Sequence, residues 1–302
     1  MFTCDRLLVP IDFSGASDAA LRRALDLARR TGAEVHLLHV VPGFAALGPE
    51  EDFDALPEAE QAFFRHVWGQ AQAQLDARLA LARPEGLALR KVLSYGLPSA
   101  VALEYAEEND VDLIVMGTHG RRGVRRLVLG SVAEEVMRRA DVPVMVVPEG
   151  SGAGPFLYAL APTDFSRASR LVLPVAAAVA DLYGARISLL HAVEPIPLLA
   201  AVAGFGTVAD LLPDLLPRAE DELERVAADP ALARADAHVL DGRAAEAITG
   251  FAEDHGVDLI VMAKHGLHGV DRLLLGSVTE RVARTAPCTV LALPVDEATD
   301  GA

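Results

Sequence analysis

The sequence predicts an α/β protein built from two tandem domains, each a parallel sheet covered by helices on both faces. Three observations lead there. The 302 residues suit about two domains at roughly 100 to 200 residues apiece, each large enough for its own core. The chain contains a long internal repeat. Within each repeat, short runs of Val, Ile and Leu alternate with segments of helical periodicity.

The repeat is direct. Leu8-Val-Pro-Ile-Asp-Phe-Ser14 recurs as Leu160-Ala-Pro-Thr-Asp-Phe-Ser166, and the same offset of 152 carries Gly32 onto Gly184 and Leu37-Leu-His39 onto Leu189-Leu-His191. Further on, Val111-Asp-Leu-Ile-Val-Met116 returns as Val257 to Met262 and Leu129-Gly-Ser-Val132 as Leu275 to Val278, at an offset of 146. The second copy is therefore six residues shorter somewhere between these blocks. Glu149-Gly-Ser-Gly-Ala-Gly154 has the composition of a flexible joint. Domains are expected over 1–148 and 155–294.

In the first copy, strands are expected at about 6–11, 34–41, 87–94, 111–116 and 143–147. They lack a polar face, as strands of a parallel sheet buried on both sides do. Helices are expected at about 16–31, 57–83, 98–109 and 131–140. Ala16, Ala20, Ala24, Leu27 and Ala28 fall at helical spacing, and Gly32 supplies a C-terminal stop. Five strands and four helices per copy make a doubly wound sheet, whose ligands sit beyond the carboxyl ends of the strands.

Composition narrows the function. Apolar residues make up 52% and charged residues 23%, a globular balance. A net charge of −16 repels a nucleic-acid backbone, so nucleic-acid binding is not expected. The longest charge-free stretch of spanning character, Pro195 to Ala209, has 15 residues broken by proline and glycine. A membrane span needs about 20 apolar residues, so no membrane partner is expected. The start, Met1-Phe-Thr-Cys-Asp-Arg6, lacks the features of a secretory signal, and a cytoplasmic location is expected. Cys4 and Cys288 have no neighbours at zinc spacing and read as reduced, packed thiols.

The most informative segment follows the fourth strand: Gly117-Thr-His-Gly120, then Arg121 to Leu129, then Gly130-Ser131 and a helical pattern. A strand, a glycine-bearing loop and a helix N-terminus form an anion site, because glycine lets the backbone approach and the first-turn N–H groups are unsatisfied. A blander reading stands beside it. Ser131 with Glu134, and Ser277 with Glu280, have capping-box spacing, and a cap alone accounts for Gly-Ser.

The spacing Gly-x2-Gly-x9-Gly-Ser after Val-Asp-Leu-Ile-Val-Met resembles the signature of the universal stress protein family, in its ATP-binding class. The resemblance extends to Val9-Pro-Ile-Asp12-Phe-Ser14, Leu38-His39-Val40, Gly96-Leu-Pro98 and Val144 to Pro148, and so to nearly the whole chain. It implies a Rossmann-like sheet of order 3-2-1-4-5 in each copy and ATP with Mg or Mn as ligand. It places Asp12 and Asp164 beside ribose and phosphates, and the backbone of Val40 and Ala192 against adenine. It gives the phosphates to Gly117, Gly120, Gly130 and Ser131, and in the second copy to Gly266, Gly276 and Ser277. The second copy departs from the pattern at Ala263, where the family has its first glycine.

Other constellations carry less. Gly204-Phe-Gly-Thr-Val-Ala209 matches a dinucleotide fingerprint but follows no clear first strand. The only lysines, Lys91 and Lys264, lack the context of a Walker A loop, and no G-x-S-x-G elbow is present. His39 and His191 end core strands and read as structural; His119 and His265 lie in the loops without an evident carboxylate partner.

Three functions follow: an adenine-nucleotide-binding regulatory protein of the stress response, a slow ATP-hydrolysing enzyme of related architecture, or a nucleotide-free dimerisation scaffold. The first is preferred, with at most weak ATPase activity and no catalytic residue assigned. The last strands, Val144 to Val147 and Val290 to Leu293, are expected to pair the two copies within one chain, with a homodimer as a further expectation. The apolar connection Glu194 to Leu216 is expected to be buried or to form a contact between chains. The first copy is expected to bind nucleotide more tightly, because its loop carries Arg121, Arg122, Arg125 and Arg126 where the second has Leu267, His268, Asp271 and Arg272.

Overall fold

The computed structural model describes residues 4–41, 57–82, 86–118, 129–151, 154–194, 214–265 and 275–295. Two compact units follow the two repeats. In the first, β1 (Arg6–Pro10), α1 (Gly15–Thr31), β2 (Glu34–Val41), α2 (Glu58–Ala82), β3 (Leu89–Tyr95), α3 (Pro98–Glu108), β4 (Leu113–Gly117), α4 (Ser131–Arg139) and β5 (Val144–Val147) alternate along the chain. The strands run parallel in the order β3-β2-β1-β4-β5, as the family resemblance implies. The second unit repeats this with β6 (Tyr158–Pro162), α5 (Arg167–Tyr183), β7 (Arg186–Val193), α6 (Leu215–Ala227), β8 (Ala235–Asp241), α7 (Ala244–His255), β9 (Leu259–Ala263), α8 (Ser277–Thr285) and β10 (Thr289–Leu293). Its order is β8-β7-β6-β9-β10.

The first strand of each copy forms its centre. Leu7, Leu8 and Val9 are fully buried, as are Ala159, Leu160 and Ala161. α1 covers one face with Ala16, Ala20, Ala24, Leu27 and Ala28, all buried. It begins at Ser14, whose hydroxyl accepts the Ser17 N–H, and stops at Gly32 in the left-handed region at φ 80°, where a side chain would be strained. α5 is bounded in the same way by Ser166 and Gly184.

The fourth strand starts two residues later than the apolar run suggests. Val111 N–H still bonds the Ala106 carbonyl at the exit of α3. Asp112 then turns its carboxylate across to β1, accepting from the N–H groups of Asp5 and Arg6 at 2.7 and 2.9 Å. Asp258 does the same for Leu157 and Tyr158. Cys4 and Cys288 are free and buried, and Cys288 lies just before β10. Burial pushes both thiols up to about 12, so they are neutral at physiological pH. Among the described residues no helix is long and apolar enough to cross a membrane.

Candidate functional site

In each copy the strand order changes direction between the first and fourth strands, and the crevice beyond their carboxyl ends is where an open parallel sheet presents ligand groups. In the first copy Asp12, Val40, Gly117 and Gly130-Ser131 all come from chain leaving this end. Gly120 and Gly266, the loop arginines, Gly204 to Ala209 and the connection 195–213 lie outside the described residues.

The turn after β1 sets Asp12. Its Oδ1 accepts the Ser14 N–H at 3.0 Å, and Asp164 accepts that of Ser166 at 3.0 Å. The residue between, Phe13 or Phe165, is held in the left-handed region at φ 66° and 62°, which costs a bulky side chain about 1 to 2 kcal/mol. In each copy the ring lies against a histidine of the second strand, which stands two residues before the strand's end rather than at it. Centroids are 4.2 Å apart for Phe13 and His39 and 4.1 Å for Phe165 and His191. These histidines are structural, as their sequence positions suggest. Nδ1 of His39 donates to the Ile11 carbonyl at 2.6 Å and Nδ1 of His191 to the Thr163 carbonyl at 2.8 Å.

That bond has a consequence for the next residue. Along β2, odd-numbered residues bond toward β3, as in Val35 N–H to Ala88 and Gly96 N–H to the Val41 carbonyl; even-numbered residues bond toward β1, as in Glu34 N–H to Asp5 and Ile11 N–H to the Leu38 carbonyl. Val40 is next in the even series, but β1 has ended at Pro10 and the Ile11 carbonyl is taken by His39. The Val40 N–H and C=O therefore face the same way with no backbone partner among the described residues. Ala192 repeats this beyond Pro162: Thr163 N–H bonds the Leu190 carbonyl, and His191 takes the Thr163 carbonyl. A backbone pair left open in this way is completed by water or by a ligand.

The glycine loop is closed at its base by Gly130 N–H to the Thr118 carbonyl at 2.6 Å, and in the second copy by Gly276 N–H to the Lys264 carbonyl at 2.8 Å. α4 and α8 have Gly130 and Gly276 as N-caps, with no side-chain cap bond, and Ser131 and Ser277 are their first helical residues. This corrects the capping-box reading: the serines sit one position too late to cap, and both are exposed at the helix N-terminus. A Cβ at Gly276 would stand 3.0 Å from the Lys264 carbonyl oxygen, so a side chain there would press on the chain at the base of the loop.

Gly117 is also needed for space, not for its φ, which is not positive. A Cβ there would stand 2.7 Å from the Ala16 carbonyl carbon and 2.9 Å from its oxygen, in the first turn of α1. The second copy accepts Ala263 at this place, and there Thr279 Oγ1 donates to the Ala263 carbonyl at 2.8 Å. Lys264, which the sequence motifs leave without a role, is 1% exposed at the start of the second loop, where the first copy has Thr118. Sequence reasoning also missed the guanidinium groups behind the turn: Arg78 bonds Asp18, and Arg170 bonds Glu222.

A family model described as the universal stress protein family matches residues 3–148 and again 159–294. The chain belongs to the universal stress protein family. Universal stress protein MJ0531 of Methanocaldococcus jannaschii is 33% identical over 144 residues, spanning 47% of this chain and 81% of the relative. A universal stress protein of Thermus aquaticus is 39% identical over 128 residues, 42% of this chain and 91% of its own length. Each alignment spans the length of one repeat. The crystal structure of a universal stress protein from Archaeoglobus fulgidus has the same fold across both repeats of this universal stress protein. Its TM-score is 0.71, over 97% of this chain and 99% of that one, at 22% identity.

Proposed function

We propose that this tandem universal stress protein binds an adenine nucleotide, ATP with Mg or Mn, and acts as a regulatory protein of the stress response. The observation that carries the binding reading is the open N–H and C=O of Val40, repeated at Ala192. One residue offering a donor and an acceptor side by side matches the N1 acceptor and N6 donor of adenine. Guanine reverses that order, so a site built this way discriminates against it. One carboxylate per copy, Asp12 or Asp164, stands at the first strand's end, and an oxygen ligand of this kind suits a hard divalent cation held jointly with phosphate oxygens. The helix N-termini at Ser131 and Ser277 suit the phosphates. Family membership supports the regulatory role.

The test is the nucleotide released by acid from freshly purified protein, followed by titration with Mg-ATP and Mg-GTP. Retained adenine nucleotide, with ATP preferred by about tenfold or more, is expected from one or two hydrogen bonds to the base edge. Equal binding of both nucleotides would remove the base-edge argument. Multiple-turnover release of ADP would mark an enzyme, and no binding at all would leave the scaffold reading.

A further inference from the structure

The two copies share a device behind the aspartate turn, built from different residues. In the first copy Arg78, on the long helix α2, makes two bonds to Asp18 in the first turn of α1, Nε to Oδ1 at 2.6 Å and Nη2 to Oδ2 at 3.1 Å. Its guanidinium carbon lies 4.7 Å from the centroid of Phe13. In the second copy the position 152 residues after Asp18 is Arg170. Arg170 Nη2 reaches Glu222 on the long helix α6 at 2.6 Å, and its Nε donates to the Phe165 carbonyl at 3.1 Å.

The polarity is reversed, but the connection is the same. In each copy a guanidinium–carboxylate pair joins the long helix to the first helix, and the guanidinium itself touches the left-handed phenylalanine next to the site aspartate. The ring of that phenylalanine also lies against the second-strand histidine. A bulky residue in the left-handed region persists only when its surroundings over-determine it. Arg78 and Arg170 supply part of that over-determination.

We infer that Arg78 and Arg170 are positioning residues: each latches the long helix to the Asp-Phe-Ser turn and thereby fixes Asp12 or Asp164 for the metal–phosphate part of a bound nucleotide. The inference rests on the nucleotide-binding reading above, and it adds that the long helix and the aspartate turn are coupled. In the first copy the bidentate guanidinium–carboxylate geometry provides the directional restraint; in the second, one bond to Glu222 and one to the Phe165 carbonyl fix the same guanidinium. The reversed pair in the second copy shows that the linkage, not a particular residue on a particular helix, is what the fold uses.

The test uses the full chain. Trp68 is the only tryptophan and packs with Phe13 around Val41 and Ala71, so its fluorescence reports the first copy. Arg78→Met is expected to weaken binding of Mg-ATP by about tenfold, while binding of ATP in EDTA changes by less than about threefold. The double variant Asp18→Arg with Arg78→Glu, which installs the second copy's polarity, is expected to return Mg-ATP affinity to within about threefold of wild type. Equal loss with and without magnesium would mean a merely structural role and would overturn the inference, as would wild-type affinity in Arg78→Met. A nucleotide-free readout separates this from the binding reading. Exchange of the Ser14 amide, held by the Asp12 carboxylate, is expected to speed up in Arg78→Met and recover in the double variant. If wild type binds no nucleotide but this exchange behaves as described, the latch stands and the nucleotide reading fails; unchanged exchange overturns the latch.

Discussion

Replacing Gly117 with alanine tests how tightly the site is built into the core. The added carbon would stand 2.7 Å from the Ala16 carbonyl carbon, 2.9 Å from its oxygen and 2.9 Å from its Cβ. Ordinary carbon contacts lie near 3.5 to 4.0 Å, so α1 or β4 must move by about 0.5 to 1 Å. Ala16 is fully buried and its neighbours in α1 pack on the sheet, so the retreat disturbs a close-packed region. Overpacking of this kind costs about 1 to 3 kcal/mol. For a unit of about 150 residues, that lowers the melting temperature by roughly 2 to 12 °C. Urea unfolding followed by Trp68 fluorescence reads the first copy. The matched control is Ala263→Gly, which relieves no clash and costs only about 0.5 to 1 kcal/mol of chain entropy. A Gly117→Ala protein whose first transition is unchanged or higher would refute the packing argument and return this glycine to a purely ligand-contact role.

Three further outcomes are expected. Asp112→Ala removes the acceptor for two strand-entry N–H groups and costs the first copy about 1 to 2 kcal/mol in urea unfolding. Asp112→Asn is milder than Asp258→Asn, because Asp112 uses one oxygen for both bonds whereas Asp258 uses both oxygens. Both thiols, pushed up to about 12 chiefly by burial, should react with a thiol reagent at pH 8 only after unfolding; rapid labelling of native protein would contradict their burial. Stability should also fall as pH rises above about 9, where only the unfolded thiols ionise. His238 is held below its ordinary value of 6.5, first by burial and then by His255 and Arg186, against the opposing pull of Asp236. A lowered histidine stabilises above the unfolded value and loses that contribution as pH falls through the folded one. The second copy is therefore expected to weaken from pH 7 to pH 5, and His238→Gln to flatten that slope; an unchanged slope would place the titration elsewhere.

Much of the fold was legible in the sequence because its signals are local. The repeated Pro-x-Asp-Phe-Ser blocks, the unbroken Val/Ile/Leu runs and the glycine stops at Gly32 and Gly184 specify strands, helices and their duplication through backbone preference and burial alone. Asp12 and Asp164 were legible as candidates because they close a strand and recur. Only the tertiary structure decided what surrounds them. The opening of Val40 depends on where β1 ends relative to β2 and on His39 reaching the Ile11 carbonyl 28 residues away, a matter of register that periodicity does not carry. The capping-box pattern misled because the same four residues can begin at the cap or one position later, and the bond from Gly130 to Thr118 selects the later start. The Arg78–Asp18 pair spans 60 residues and the Arg170–Glu222 pair 52. A charge in a sequence states its sign but not its partner, and here the two copies reach the same connection with the signs exchanged.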